Sequence, residues 1–204
     1  MNTRAKQKVC RDWLTMACLI TFLTAAGCGE EEFRKQRRAI NEAFSGIRSG
    51  SRCTLIHEPS GVRERCGITC PRSLFIDSTA RRLEGLKGLC WLDISETKIT
   101  DKALVSLAKA PDLEHLQIAD CQITGYGIAA LSGSSLKYLD VRNCRNLNAN
   151  DMEAIKLIPS LKIVFVHGTV LANQSGLHGE LEVNSDEEID AKLPYYYRYK
   201  QPGK

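Results

Sequence analysis

A chain of 204 residues with 43% hydrophobic, 25% charged and 6% aromatic residues has the length of one domain plus flanking segments. Its charged share excludes a polytopic membrane protein. The formal net charge of +4 is concentrated at the amino end, where Arg4, Lys6, Lys8 and Arg11 stand against Asp12. The remainder is therefore near neutral and lacks the electrostatic footprint of a nucleic-acid binder.

Those basic residues precede an apolar run, Trp13 to Ala26, of 14 residues. The length suits the core of a signal peptide and is short of the roughly 20 residues a spanning helix requires. The run closes on Ala25-Ala26-Gly27-Cys28, small residues set directly before a cysteine. This ending resembles the lipobox of bacterial lipoproteins, with Ala25 where leucine is usual. The resemblance implies cleavage before Cys28, a diacylglycerol thioether on its sulfur and an acylated amino group, and multiple acyl chains anchor durably. A plain signal peptide cut after Ala26, an uncleaved signal anchor and a mitochondrial presequence are the alternatives. Glu30-Glu31-Glu32 tells against the last, since transit peptides avoid acids.

From Glu30 to Ile47, charges alternate with Phe33, Ile40, Phe44 and Ile47 at near-heptad spacing, which predicts a short amphipathic helix. Its basic stretch Arg34-Lys35-Gln36-Arg37-Arg38 could meet anionic head groups or be an ordinary solvated face. Ser45 to Ser51 reads as a linker. Residues 53–88 are irregular, with strands expected near Cys53–His57 and Ser73–Ile76 and a helix near Thr79–Leu86. They are read as an amino-terminal cap.

Internal repeats follow. One unit starts at Leu89 and runs through Leu92 and Ile94, the next has Leu113, Leu116 and Ile118, and a third has Leu136, Leu139 and Val141. A fourth, degenerate unit has Leu161, Val164 and Val166. Successive starts are 24, 23 and 25 residues apart. Behind each strand-like half, Leu104/Leu107, Ile128/Leu131 and Met152/Ile155 recur three apart, as one face of a short helix requires. Thr100-Asp101 and Asn150-Asp151 supply helix-start residues, and Pro111 and Pro159 supply stops. Each unit reads as strand, turn and helix, and stacking the units would bury an apolar stripe that none can bury alone.

These units resemble leucine-rich repeats, specifically the cysteine-containing subclass, with Thr97, Cys121, Cys144 and Thr169 in the column where others place asparagine. The resemblance spans roughly residues 83–169. It implies an α/β leucine-rich repeat solenoid, a short right-handed arc of about four strand-turn-helix repeats with terminal caps. It also implies partner binding, without naming the partner. The expected organisation is a lipoprotein-type signal peptide (1–27), a tether with amphipathic helix and linker (28–52), the cap (53–88), the repeats (89–169) and a carboxy-terminal cap or tail (170–204).

Side chains alternate along a strand, so the residues between the inward leucines should face solvent on the concave sheet. They form three columns: Trp91, His115, Tyr138, Ile163; Asp93, Gln117, Asp140, Phe165; and Ser95, Ala119, Arg142, His167. Aromatic residues and arginine are enriched at interface centres, so Trp91, Asp93, His115, Gln117, Tyr138, Asp140, Arg142 and Phe165 are the candidate partner-binding residues. The alternative is that they only pair across strands or lie beneath a tail.

Of nine cysteines, Cys10 and Cys18 fall in the targeting segment, Cys28 is the lipidation candidate, and Cys121 and Cys144 suit packing. Cys53, Cys66, Cys70 and Cys90 are disulfide candidates for the amino-terminal end of the stack in an exported chain. The pairing is open, and reduced thiols are the alternative. Cys66 and Cys70 have a tolerable zinc spacing, but the second ligand pair of a zinc signature is missing, so no metal is expected. Beyond Thr169, Asn173 to Gly179 reads as a loop, and the Asn173-Gln174-Ser175 sequon would go unused in a bacterial lipoprotein. Ser185-Asp186-Glu187-Glu188 is a capping box predicting a helix to Leu193, stopped by Pro194. Tyr195, Tyr196, Tyr197 and Tyr199 follow.

The four histidines are scattered, and no phosphate loop, serine elbow or zinc-hydrolase motif appears. The expectation is a non-enzymatic protein without cofactor, held in the cell envelope by a lipid anchor on the periplasmic or extracellular face, or else secreted. It would bind a protein partner and no nucleic acid. The alternatives are an intracellular or mitochondrial leucine-rich repeat adaptor or assembly factor, and a purely structural envelope component.

Overall fold

The computed structural model describes residues 31, 34–43, 45, 54–58, 65–70, 74–178 and 181–185. The chain divides into residues 1–39, whose described part is helical, and residues 40–204, which carry the sheet. Among the described residues no helix is long and apolar enough to cross a membrane. Helical residues 34–43 (α1) include Ile40, which is fully buried in the core of the second unit.

The sheet has eight strands: β1 (Thr54–Glu58), β2 (Arg65–Thr69), β3 (Leu89–Asp93), β4 (His115–Gln117), β5 (Tyr138–Asp140), β6 (Ile163–Phe165), β7 (Gly176–His178) and β8 (Leu181–Asn184). Their order is β1-β2-β3-β4-β5-β6-β8-β7. From β2 through β8 the central neighbours are parallel, and β1 and β7 close the two edges antiparallel. Helices α2 (Asp77–Arg81), α3 (Asp101–Leu107), α4 (Gly125–Ala130) and α5 (Asp151–Lys156) alternate with the strands. This is the α/β leucine-rich repeat solenoid.

The repeat spacing brings equivalent residues into register. Ile68, Leu92, Leu116, Leu139, Val164 and Val183 are successive cross-strand partners, each essentially buried. Ile94, Ile118, Val141 and Val166 form a second buried column, and Leu104, Leu107, Ile128, Leu131, Met152 and Ile155 meet both from the helix side in one cluster. A leucine-sized side chain moved from water into such a core contributes on the order of 2 kcal/mol, and the columns are continuous, so each repeat is stabilised mainly by its neighbours.

Turns repeat as faithfully as strands. Glu96, Asp120, Asn143 and Gly168 all have left-handed backbone, with φ of 56°, 55°, 58° and 70°. Their amides build a ladder from turn to turn: Glu96 N–H donates to Ala119 O, Asp120 N–H to Arg142 O, and Asn143 N–H to His167 O, at 2.8–2.9 Å. On the helix side, the Asp77 carboxylate accepts from Thr100 N and Oγ1 (2.8 and 2.7 Å), and Asp101 accepts from Thr124 N and Oγ1 (2.8 and 2.6 Å). Each N-cap threonine is thus fixed by the first residue of the preceding helix. The series stops at Gly125, where an added Cβ would lie 2.1 Å from Asp151 Oδ1.

Several expectations need correction. Residues 74–76 are not a strand. The strand near them is β2, which joins the parallel sheet and starts the repeat pattern one unit before Leu89. Helix α2 ends at Arg81. Asn150 does not cap α5; Asn148 Oδ1 accepts from Asn150 N–H instead, at 3.0 Å. Past Thr169 the chain is not a plain loop. It forms a 3₁₀ turn at Val170–Gln174 and then β7 and β8, with β8 continuing the parallel ladder beside β6. The capping box beyond Ser185, the tyrosine run and the lipobox lie outside the described residues.

Candidate interaction surface

The strand face opposite the core presents the two expected columns in register. Gly67, Trp91, His115, Tyr138, Ile163 and Glu182 form one row; Thr69, Asp93, Gln117, Asp140, Phe165 and Asn184 form the other. The geometry therefore unites Trp91, Asp93, His115, Gln117, Tyr138, Asp140 and Phe165 on one surface. Arg142 joins them through Asp140, to which its Nε donates at 3.0 Å and its Nη2 at 2.9 Å. The His115 and Tyr138 rings stack with centroids 4.4 Å apart and planes 6° from parallel.

Full solvent exposure was expected of this face and is not found. Trp91, His115 and Phe165 are each only 2% exposed and Asp140 3%, whereas Asp93, Gln117, Tyr138, Ile163 and Arg142 are half-buried. Part of the reason lies in the neighbouring strand. Gly67 lacks a Cβ, and one built there would fall 2.2 Å from Trp91 Cε3, so the edge of the indole fills the space that a side chain on β2 would take. Trp91, Cys90 and Phe165, with Tyr138 and Ile163 against them, make a second apolar cluster separate from the main core.

The carboxylates have local duties that the strand pattern alone did not reveal. Asp93 Oδ1 accepts from Ser95 N–H at 3.1 Å and Asp93 Oδ2 from Thr69 Oγ1 at 3.1 Å. Asp140 Oδ1 accepts from Arg142 N–H at 3.0 Å. Both are side-chain-to-backbone bonds two residues on, the Asx turn that short acids favour. The spacing Asp93-x-Ser95 and Asp140-x-Arg142 at a strand end was the available signal. Burial pushes the Asp140 carboxyl above the ordinary carboxylate range, opposed by the Arg142 guanidinium and assisted by the charge of Asp93.

The cysteines also need correction. Cys66 and Cys90 are buried thiols, not disulfide partners. Cys66 packs in the main core, whereas Cys90 joins its neighbour Trp91 in the second cluster, and Cys90 Sγ donates to Cys66 O at 3.2 Å. Cys70 is disulfide-bonded, and Cys53 lies outside the described residues. Cys121 and Cys144 are buried thiols donating to the Ile94 and Ile118 carbonyls at 3.5 and 3.2 Å, a packing role. Desolvation raises both thiols, Cys144 to about 12.

The Leucine Rich repeat family model matches residues 109–132, which start just past α3 and take in β4 and α4. Among solved structures, the leucine-rich repeat ectodomain of the receptor kinase SOBIR1 from Arabidopsis thaliana aligns at 15% identity. The alignment covers 65% of this chain and 81% of that one, with a TM-score of 0.29. No curated protein matches.

The parallel sheet, the period of about two dozen residues and the single-repeat match give this chain an α/β leucine-rich repeat fold.

Proposed function

We propose that this chain is a membrane-anchored leucine-rich repeat protein that captures a protein partner on its concave strand face. The observation that carries this reading is the in-register surface itself. It sets a stacked His115–Tyr138 pair beside the Asp140–Arg142 pair and half-buried Asp93 and Gln117. Rigid aromatics next to oriented polar groups are what interface centres use. Trp91, Phe165 and Asp140, being buried, would act as the floor that holds the contact residues in place.

Anchoring through acylated Cys28 is part of the same proposal and is supported by the small residues before it and the short apolar run. A disulfide at Cys70 fits an exported chain. Palmitate labelling with membrane fractionation tests the anchor. Label incorporated by the parent and lost in Cys28→Ser supports it. A cytosolic, unlabelled chain favours an intracellular adaptor, and an unlabelled chain in the medium favours plain secretion.

A further inference from the structure

Trp91 poses a physical problem. Trp91 turns the Cε3 edge of its ring toward Gly67 of the next strand and stands on a sheet face, yet it is 2% exposed. His115, Phe165, Asp140 and Asn184 on the same side are exposed by 5% or less. Side chains standing on a sheet shield one another's flanks, not their tips. Among the described residues, the helices do not supply the shield. Their buried residues belong to the main core on the opposite face, as does Ile40 of α1, and the described members of the second cluster all come from β3, β5 and β6.

We propose that the carboxy-terminal segment, residues 186–204, crosses the concave face and occupies it as an intramolecular ligand. Three observations select this segment. The chain leaves β8 already on that side: the Ser185 carbonyl lies 3.1 Å from Nδ1 of His167, which belongs to the outermost concave column. The reach is sufficient, because β8 and β3 are four strand spacings apart, about 19 Å, and a segment of 19 residues spans about 28 Å even if wholly helical. The chemistry matches as well. Tyr195, Tyr196, Tyr197 and Tyr199 offer flat faces to Trp91, His115 and Phe165, and such aromatic pairs are favourable beyond their area burial. Arg198 and Lys200 bring positive charge toward Asp93, Asp140 and Glu182.

A partner binding this face would then have to displace the tail. That consequence rests on the partner reading above; the burial of Trp91 does not, and it is measured without any partner. The chain has two tryptophans, Trp13 and Trp91, so a full-length Trp13→Phe protein reports on Trp91 alone. Replacing the four tail tyrosines with serine in that protein should shift Trp91 emission to the red and raise its acrylamide quenching several-fold, with far-UV circular dichroism unchanged. Truncation after Ser185 should do the same, and adding a synthetic peptide of residues 186–204 should reverse it. Trp91 remaining shielded in the folded tyrosine variant, or in the truncated chain, would overturn the proposal and assign the cover to another segment. So would exposure of Trp91 that the peptide fails to reverse. If truncation unfolds the chain, the full-length tyrosine variant alone decides.

Discussion

Gly168→Ala tests the turn ladder, because two separable costs meet at one atom. The first is backbone: Gly168 has φ of +70°, a region that costs an L-residue about 1–2 kcal/mol. The second is contact: a Cβ at Gly168 would lie 2.0 Å from Asn143 Oδ1, so the Asn143 side chain must swing away. Doing so breaks its 3.0 Å bond from Nδ2 to Asp120 Oδ2, worth about 1 kcal/mol in a typical case. The sum is about 2–3 kcal/mol, or a fall in melting temperature of roughly 5–10 °C for a domain of this size. Asn143→Gly removes the obstacle while accepting the same left-handed turn, so in that background Gly168→Ala should cost only the backbone part. Urea denaturation of the four proteins gives the coupling directly. A coupling of zero, or a Gly168→Ala protein as stable as the parent, would refute the geometry.

Two further outcomes follow from the core. Leu116→Ala empties the middle of a column flanked by Leu92 and Leu139, and a cost of about 2–5 kcal/mol is expected in chemical denaturation. Cys144, held near 12 by burial, should resist iodoacetamide at pH 9 in the folded chain and react fully in urea, as peptide mass mapping would show. Because its folded value is raised, the native state keeps this proton longer than the unfolded state. The cysteine's effect is therefore absent below the unfolded value of about 9, and stability is lost as pH rises from there toward 12.

The sequence announced the fold because the solenoid is local: each strand and helix is set by residues two dozen positions from their equivalents. Leu92, Leu116 and Leu139 could be aligned by spacing alone. The first unit escaped notice because Gly67 and Ile68 stand where later repeats have Trp91 and Leu92, and Cys70 stands in the Ile94 column. β8 escaped for a like reason, with Val183 answering Val164 only after an irregular stretch. The concave face was legible in which residues it gathers and not in their exposure. Alternation reports which side of a strand a residue takes, whereas cover depends on contacts from outside the repeat. The duties of Asp93 and Asp140 depend on a bond two residues along, which a column-wise reading overlooks.

The most direct measurement of the functional claim is affinity capture from solubilised membranes with matched surface variants. Tyr138→Ala combined with Gln117→Ala alters the concave face, and Tyr126→Ala alters a residue 88% exposed on α4, away from that face. Any partner retained by the parent and by Tyr126→Ala should be lost from the concave variant while its melting temperature holds. A partner kept by the concave variant and lost with Tyr126→Ala would move the binding surface to the helices and contradict the account.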